Sequence, residues 1–200
     1  MATAGKAALR KRLLSARRAV ADDVRAAEAC ALQKHLGELT IGGATVCAYV
    51  PVGDEPGSVA MLDGLLRRGL RVLLPVARTS GPAAGADVPL PLMWGEYRPG
   101  GLVTGRLGLL EPAQPWLPAA ALAEAALVVV PALAVDRRGV RLGRGAGFYD
   151  RSLVLRGPNV ALIAVVRDAE LVDTLPSEPH DVPMTHALTP GRGVVAFTAE

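Results

Sequence analysis

The chain has 200 residues, half of them hydrophobic and 20% charged, a composition that specifies a packed globular protein and excludes a disordered one. No apolar run approaches the roughly 20 residues that span a bilayer, so no membrane partner is expected. Arg outnumbers Lys 19 to 3, which suits anionic small molecules, while a net charge of only +3 argues against a dedicated nucleic-acid binder.

Cys30 and Cys47 are the only cysteines, without a CxxC pair or a His at metal-ligand spacing. A reducing, cytoplasmic setting is therefore expected rather than a disulfide framework. The length suits one domain spanning residues 1–200, and scarce aromatics leave Leu, Val and Ala to build the core.

Residues 1–20 contain no acid and carry Lys6, Arg10, Lys11, Arg12, Arg17 and Arg18. Leu9, Leu13, Ala16 and Val20 recur at helical spacing, predicting a helix with one apolar and one basic face. An organelle transit peptide shares this pattern, but serine is rare here and no spare length precedes the domain. The basic face is either simply solvated, or Lys6 and Arg10, one turn apart, reach a phosphate. Residues 21–39 predict a second helix, capped by Asp22 or Asp23, with Val24, Ala27, Ala31 (or Cys30), Leu32 and Leu36 turned inward. His35, late in that helix, reads as structural.

Residues 45–52 and 71–76 read as strands joined by a helix that Ser58 caps, a βαβ unit requiring a parallel pair. Glu55 lies at the carboxyl end of the first strand, where open α/β sheets bind ligands, although a plain turn acid would look the same. Residues 79–88 form a small-residue loop. Beyond it, Trp94 is a candidate core residue, as a Trp in an aromatic-poor chain usually is. Pro118 opens a short alanine-rich helix.

Residues 127–150 read LVVVPALAVDRRGVRLGRGAGFYD. The run from Leu127 to Val130 is a strand buried on both faces, and it delivers a polar, Gly-rich loop to a sheet edge. Gly143, Gly145 and Gly147 are spaced two apart, which lets backbone N–H groups approach an anion without Cβ atoms in the way. A helix starting near Gly147 would add its positive dipole end. Arg137, Arg138, Arg141 and Arg144 supply forked charges that suit phosphate, and Asp150 either holds Mg2+ or pairs with an arginine. Together these groups read as a nucleotide phosphate site; a tight turn with solvated arginines is the plainer reading.

Residues 159–166 predict another buried strand and 193–198 a terminal one, separated by a polar, Pro-rich loop over 176–190. Alternating strands and helices give a single three-layer α/β domain with a mostly parallel central sheet flanked by helices. His180 and His186 lack cysteine and carboxylate partners for a transition-metal site.

The string D-R-R-G-x-R-L-G-x-G-x-G-F-Y-D over residues 136–150 closely resembles the signature of the 5-formyltetrahydrofolate cyclo-ligase family, also called 5,10-methenyltetrahydrofolate synthetase. The resemblance extends from Lys6 to Thr189. It implies an ATP- and Mg2+-dependent cyclisation of 5-formyltetrahydrofolate to 5,10-methenyltetrahydrofolate, with ADP and phosphate released; a monomer is expected, and whether polyglutamylated folates are preferred stays open. Lys6, Leu9 and Arg10 match the family's ATP-binding K-x-x-L-R opening. On the same footing Arg141, Gly143, Arg144, Gly145, Gly147 and Tyr149 contact the nucleotide, with Arg144 and Lys6 as catalytic candidates.

The resemblance further implies that Glu55 contacts the folate, that Trp94 lines the pteridine pocket, and that Phe148 and Tyr149 wall it. Asp150, and Asp181 in the His180-Asp181 pair, become Mg2+ ligands. Residues 108–112 are similar to the family's G-x-x-E-P turn. Val140 replaces a common asparagine, Ala146 stands where some members carry lysine, and Thr185 stands where a second aspartate is often found. A different phosphate-handling α/β enzyme, such as a sugar-phosphate isomerase, an inactive family member, and a nucleic-acid-binding accessory protein are the competing readings.

Overall fold

The computed structural model describes residues 2–81, 88–178 and 181–197. Two 17-residue helices open the chain, α1 (Ala2–Arg18) and α2 (Asp22–Glu38). The expected parallel βαβ unit follows as β1 (Thr45–Cys47), α3 (Val59–Arg67) and β2 (Arg71–Val76), with Val46 opposite Val72. β3 (Met93–Glu96) runs antiparallel to β2. β4 (Leu102–Thr104) and β5 (Leu110–Pro112) form a hairpin, and β6 (Trp116–Leu117) pairs with β3. A 3-10 helix, Ala119–Glu124, starts after Pro118 and leads into β7 (Leu127–Pro131).

Beyond β7 come the short strands β8 (Ala134–Asp136) and β9 (Arg141–Leu142), then α4 (Phe148–Ser152) and β10 (Ala161–Val165). β11 (Leu171–Val172), β12 (His186–Thr189) and β13 (Gly193–Ala196) complete the chain. Eight strands form the main sheet in the order β13-β12-β10-β7-β1-β2-β3-β6. The five from β12 to β2 are mutually parallel, and the edges are antiparallel. The Val-rich run therefore lies at the centre, between β1 and β10.

Both faces of this sheet are covered, because side chains alternate sides along each strand. Leu162 and Ala164 pack with Trp94, Leu122 and Leu153 on one face, while Ile163 and Val165 pack with Leu32, Leu36, Met61 and Leu65 on the other. Helices α2 and α3 thus cover one side, and the 3-10 helix with the α4 region covers the other. This is the three-layer α/β arrangement expected from the sequence.

Several elements differ from expectation. β12 occupies part of the stretch read as a loop, pairing Ile163 with His186 and Val165 with Leu188. β1 is three residues long rather than eight. In α2 only Leu32 and Leu36 are buried; Val24 is 46% exposed and Ala27 is exposed too. The first half of α2 is held by ions instead, Arg25 to Asp54 at 2.6 Å and Glu28 to Arg167 at 2.7 Å. Ala21, not Asp22 or Asp23, occupies the cap position of α2. Most of the loop read over residues 79–88, and His180, lie outside the described residues.

Candidate active site

Asp136 fixes the approach to the glycine loop. It is fully buried, and its carboxylate accepts backbone N–H groups from Arg138, Val140 and Leu175, each at 2.9 Å, together with the Arg138 guanidinium at 3.0 Å. A buried carboxylate satisfied in this way holds its hairpin rigidly. Gly139 in that turn has φ +82° and lies against the Met184 backbone, where a Cβ would collide. Arg138 is therefore committed to Asp136, and Arg137 pairs with Asp173 at 3.1 Å on the surface. Neither reaches the glycine loop, so the expected four-arginine cluster reduces to Arg141 and Arg144.

The loop at 143–147 rims a cavity of about 340 Å3. Val52 and Glu55 after β1, Ala77 after β2 and Ala132 after β7 also line it, which places it beyond the carboxyl ends of the parallel strands. Gly145 and Gly147 adopt φ +98° and +80°, conformations that a side chain would strain. α4 spans only five residues, so the amides and arginines of the loop, rather than a full helix dipole, set the field there.

Two ion pairs flank the cavity. Arg144 Nε lies 2.9 Å from Glu55 Oε1, and its Nη2 donates to the Val52 carbonyl at 3.1 Å. Val52 N–H in turn donates to the other Glu55 oxygen at 2.9 Å. Arg141 Nη2 donates to Asp150 Oδ1 at 2.5 Å and the guanidinium stands 5.6 Å from the Tyr149 ring centre. Each arginine is thus held beside a carboxylate at the cavity edge.

Apolar side chains form the rest of the wall, among them Leu92, Leu109, Leu110, Phe148 and Tyr149. The Tyr149 hydroxyl is buried with no hydrogen-bond partner among the described residues. Burial, reinforced by the Glu55 charge and opposed by Arg141, pushes this phenol well above its ordinary value. An unpaired buried hydroxyl in a cavity wall is what a ligand would satisfy. Tyr49, also in the wall, donates its hydroxyl to the Pro56 carbonyl at 2.7 Å.

Helix α1 brings two further cations. Arg10 Nε donates to the Gly143 carbonyl at 2.9 Å, placing its guanidinium beside Gly145. Lys6 is 7% exposed and lies 3.4 Å from both Asp181 and Glu178. The buried cations Lys6 and Arg17, with partly buried Arg10, therefore lie on the inner face of the helix. Leu9, Leu13 and Leu14 pack beside them, while Ala16 is exposed.

Two of the expected site residues, Trp94 and Asp181, are not among those that line this cavity. Trp94 is 1% exposed in the core, away from the wall of this cavity, and its indole N–H has no hydrogen-bond partner among the described residues. The apolar wall near the β4–β5 hairpin comes instead from Leu107, Leu109 and Leu110. Asp150 borders the cavity, whereas Asp181 is engaged by Lys6 and by the Glu178 N–H at 2.8 Å. Among the described residues no group of three or more His, Cys, Asp or Glu could hold a metal. Thr185 bridges β10, its hydroxyl donating to the Leu162 carbonyl at 3.0 Å and accepting its N–H at 2.9 Å. A hydroxyl with two hydrogen bonds to a strand has a structural place of its own.

Sequence reasoning misses Tyr49 and Arg17 as wall residues and reads Glu111 only within the 108–112 turn. Glu111 is 1% exposed, accepting the Ala77 N–H at 3.0 Å and Arg78 at 2.9 Å, while Arg78 stacks 4.4 Å from the Trp116 ring centre. For Arg17 a signal existed. Positions 6, 10 and 17 fall within a narrow angle on a helix, since 4, 7 and 11 residues all approximate whole turns. That stripe shares its side with Leu9 and Leu13.

The glycine loop, Arg141, Arg144 and an apolar wall thus meet in one cavity at the carboxyl edge of the parallel strands. The sequence profile of the 5-formyltetrahydrofolate cyclo-ligase family matches residues 2–190. A 5-formyltetrahydrofolate cyclo-ligase from Mycolicibacterium smegmatis is 60% identical over 197 residues, covering 98% of this chain and 100% of that protein. A second cyclo-ligase, from Escherichia coli, is 31% identical over 150 residues, covering 74% and 79%. The chain belongs to the 5-formyltetrahydrofolate cyclo-ligase family.

Solved structures agree on the fold. The 5,10-methenyltetrahydrofolate synthetase of Aquifex aeolicus superposes with a TM-score of 0.77 at 22% identity, covering 96% of this chain and 92% of that one. The synthetase of Mycoplasma pneumoniae gives 0.67 at 18% identity, covering 90% and 94%.

Proposed function

We propose that this protein closes 5-formyltetrahydrofolate to 5,10-methenyltetrahydrofolate at the expense of ATP with Mg2+, releasing ADP and phosphate. The observation that carries the reading is the joining of two chemistries in one cavity: an apolar wall of Phe148, Tyr149 and leucines, and a rim formed by Arg141, Arg144 and the 143–147 loop. Family membership and a relative at 60% identity support it.

An amide-like formyl oxygen is a poor leaving group. ATP would transfer its terminal phosphoryl to that oxygen with ADP leaving; the neighbouring anilino nitrogen then attacks the formyl carbon, phosphate departs with the former formyl oxygen, and the anilino N–H proton passes to solvent. No protein nucleophile is required, so the residues act by positioning and charge stabilisation. Arg144 and Arg141 receive the phosphoryl oxygens as they leave Glu55 and Asp150. Glu55, once free of Arg144, accepts N–H groups of the pterin, while Phe148 and Tyr149 pack against its ring. Lys6 and Arg10 close the nucleotide from α1.

Asp150 is the residue suited to Mg2+. One oxygen faces Arg141, and the group is 39% exposed at the cavity edge. Mg2+ commonly takes one or two carboxylates and completes its shell with water and substrate phosphates. Asp181, held by Lys6, serves through that cation instead. The protein acts as a single cytoplasmic domain and a monomer on small-molecule substrates. Substrate labelled with heavy oxygen at the formyl group tests the chemistry, with the label expected in released phosphate. Label retained in the folate or lost to water would refute phosphorylation of the formyl oxygen.

A further inference from the structure

Helix α1 has little apolar anchorage. Leu9, Leu13 and Leu14 are only partly buried against Leu133, Ala134, Leu142 and Leu175. Its contacts to the rest of the chain depend strongly on three cations. Two of these, Lys6 and Arg10, are the residues assigned above to the nucleotide. Both lie in the N-terminal part of the helix, where a ligand would draw them from their present partners.

The third cation, Arg17, is of another kind. It is 1% exposed on the last turn of α1, where Nε and Nη2 form a two-pronged pair with Glu170, each at 2.7 Å, and Nη2 also donates to the Ala132 carbonyl at 2.6 Å. Glu170 is 5% exposed and is itself held by the Arg167 backbone N–H at 2.8 Å. Arg167 continues to Glu28 at 2.7 Å and to the Asp54 carbonyl at 3.1 Å, next to Glu55. A largely buried network thus runs from α1 through Glu170 and Arg167 to the turn that carries Glu55, with a branch to the Ala132 carbonyl just past β7. Arg17 also borders the cavity.

We infer that Arg17, locked by Glu170 and the Ala132 carbonyl, is a positioning residue: it pins the end of α1 so that Lys6 and Arg10 reach the phosphate loop. The inference rests on the function proposed above. At about 1.5 Å per residue, Lys6 stands roughly 16 Å along the helix from this pin. A small tilt at Arg17 is therefore magnified at the site, where a misplacement of about 1 Å can cost on the order of 100-fold in rate. A forked guanidinium fixes direction as well as distance, which an ammonium does not.

Arg17→Lys keeps the charge and removes the fork. Steady-state turnover, followed by methenyl absorbance, is expected to show the KM for ATP raised about tenfold or more, with the KM for 5-formyltetrahydrofolate within about twofold. Hydrogen exchange in the same variant is expected to be faster along α1 and unchanged in β7 and β10. Equal shifts in both KM values, or unchanged exchange in α1, would overturn the assignment. If Arg17→Lys does not fold, Arg17→Met with Glu170→Gln removes the pair without leaving a buried charge, and the same two readouts decide. Should the wild-type enzyme show no turnover, the proposed function fails by itself; α1 exchange and the affinity for Mg·ADP then test the pin.

Discussion

Arg144 and Glu55 meet at 2.9 Å across the mouth of the cavity, joining the glycine loop to the turn after β1. The pair connects the groups assigned to the phosphoryl and to the pterin, so each ligand competes for one half of it. Arg144 is 45% exposed and Glu55 10% exposed, a placement in which such a pair contributes only about 0–1 kcal/mol to stability. Arg144→Ala is accordingly expected to lower Tm by no more than a few degrees while reducing turnover by at least about 100-fold. Near-normal turnover in a folded Arg144→Ala protein would remove Arg144 from the machinery.

Asp150 offers a separable test. Replacement by Asn keeps the shape and loses the charge that faces Arg141 and the cation. The Mg2+ concentration for half-maximal rate should rise several-fold, with the KM for the folate little changed. An identical Mg2+ titration would assign Asp150 to holding Arg141 alone.

Trp94 distinguishes core from pocket. It is 1% exposed among Leu122, Leu153 and Leu162, so Trp94→Ala is expected to cost about 3–5 kcal/mol of stability. Trp94→Phe should keep the KM for folate within about twofold once Tm is taken into account. A selective rise in that KM, with Tm unchanged, would return Trp94 to the ligand pocket.

The cysteines and buried phenols give a pH prediction. Burial raises the Cys47 thiol to about 12, from 9.0, and raises Tyr49 and Tyr149 in the same direction. In each the folded state keeps a proton that the unfolded chain loses, so this stability is full below about pH 9 and declines as pH rises above it. Chemical denaturation at pH 8 and pH 10 should show the lower stability at pH 10. Cys30 is exposed and Cys47 buried, so a thiol reagent at pH 8 should label one cysteine quickly and the other only on unfolding. Two fast-reacting thiols would contradict the burial of Cys47.

What was legible in the chain follows from how local each signal is. Leu127, Val128, Val129 and Val130 announce a buried strand by themselves, and the parallel β1–β2 pair follows from the length of its crossover. β12 was not legible, because His186 and Thr189 bound a two-residue apolar centre and only pairing with β10 makes it a strand. The arginines of the signature share one composition but not one fate. Asp136 draws Arg138 away, Asp173 draws Arg137, and only the three-dimensional turn decides this. Trp94 looks identical as core or pocket in sequence. In α2, Val24 follows a helical period yet faces solvent, because ion pairs rather than apolar contacts hold that end.

The central claim is that this cavity couples ATP to ring closure of a formylated folate. The direct test is the absorbance of the methenyl product after mixing purified protein with Mg·ATP and 5-formyltetrahydrofolate, beside controls lacking ATP or Mg2+. A rise that requires both, with one phosphate released per product formed, is the expected result. No rise from folded protein, or a rise independent of ATP, would contradict it.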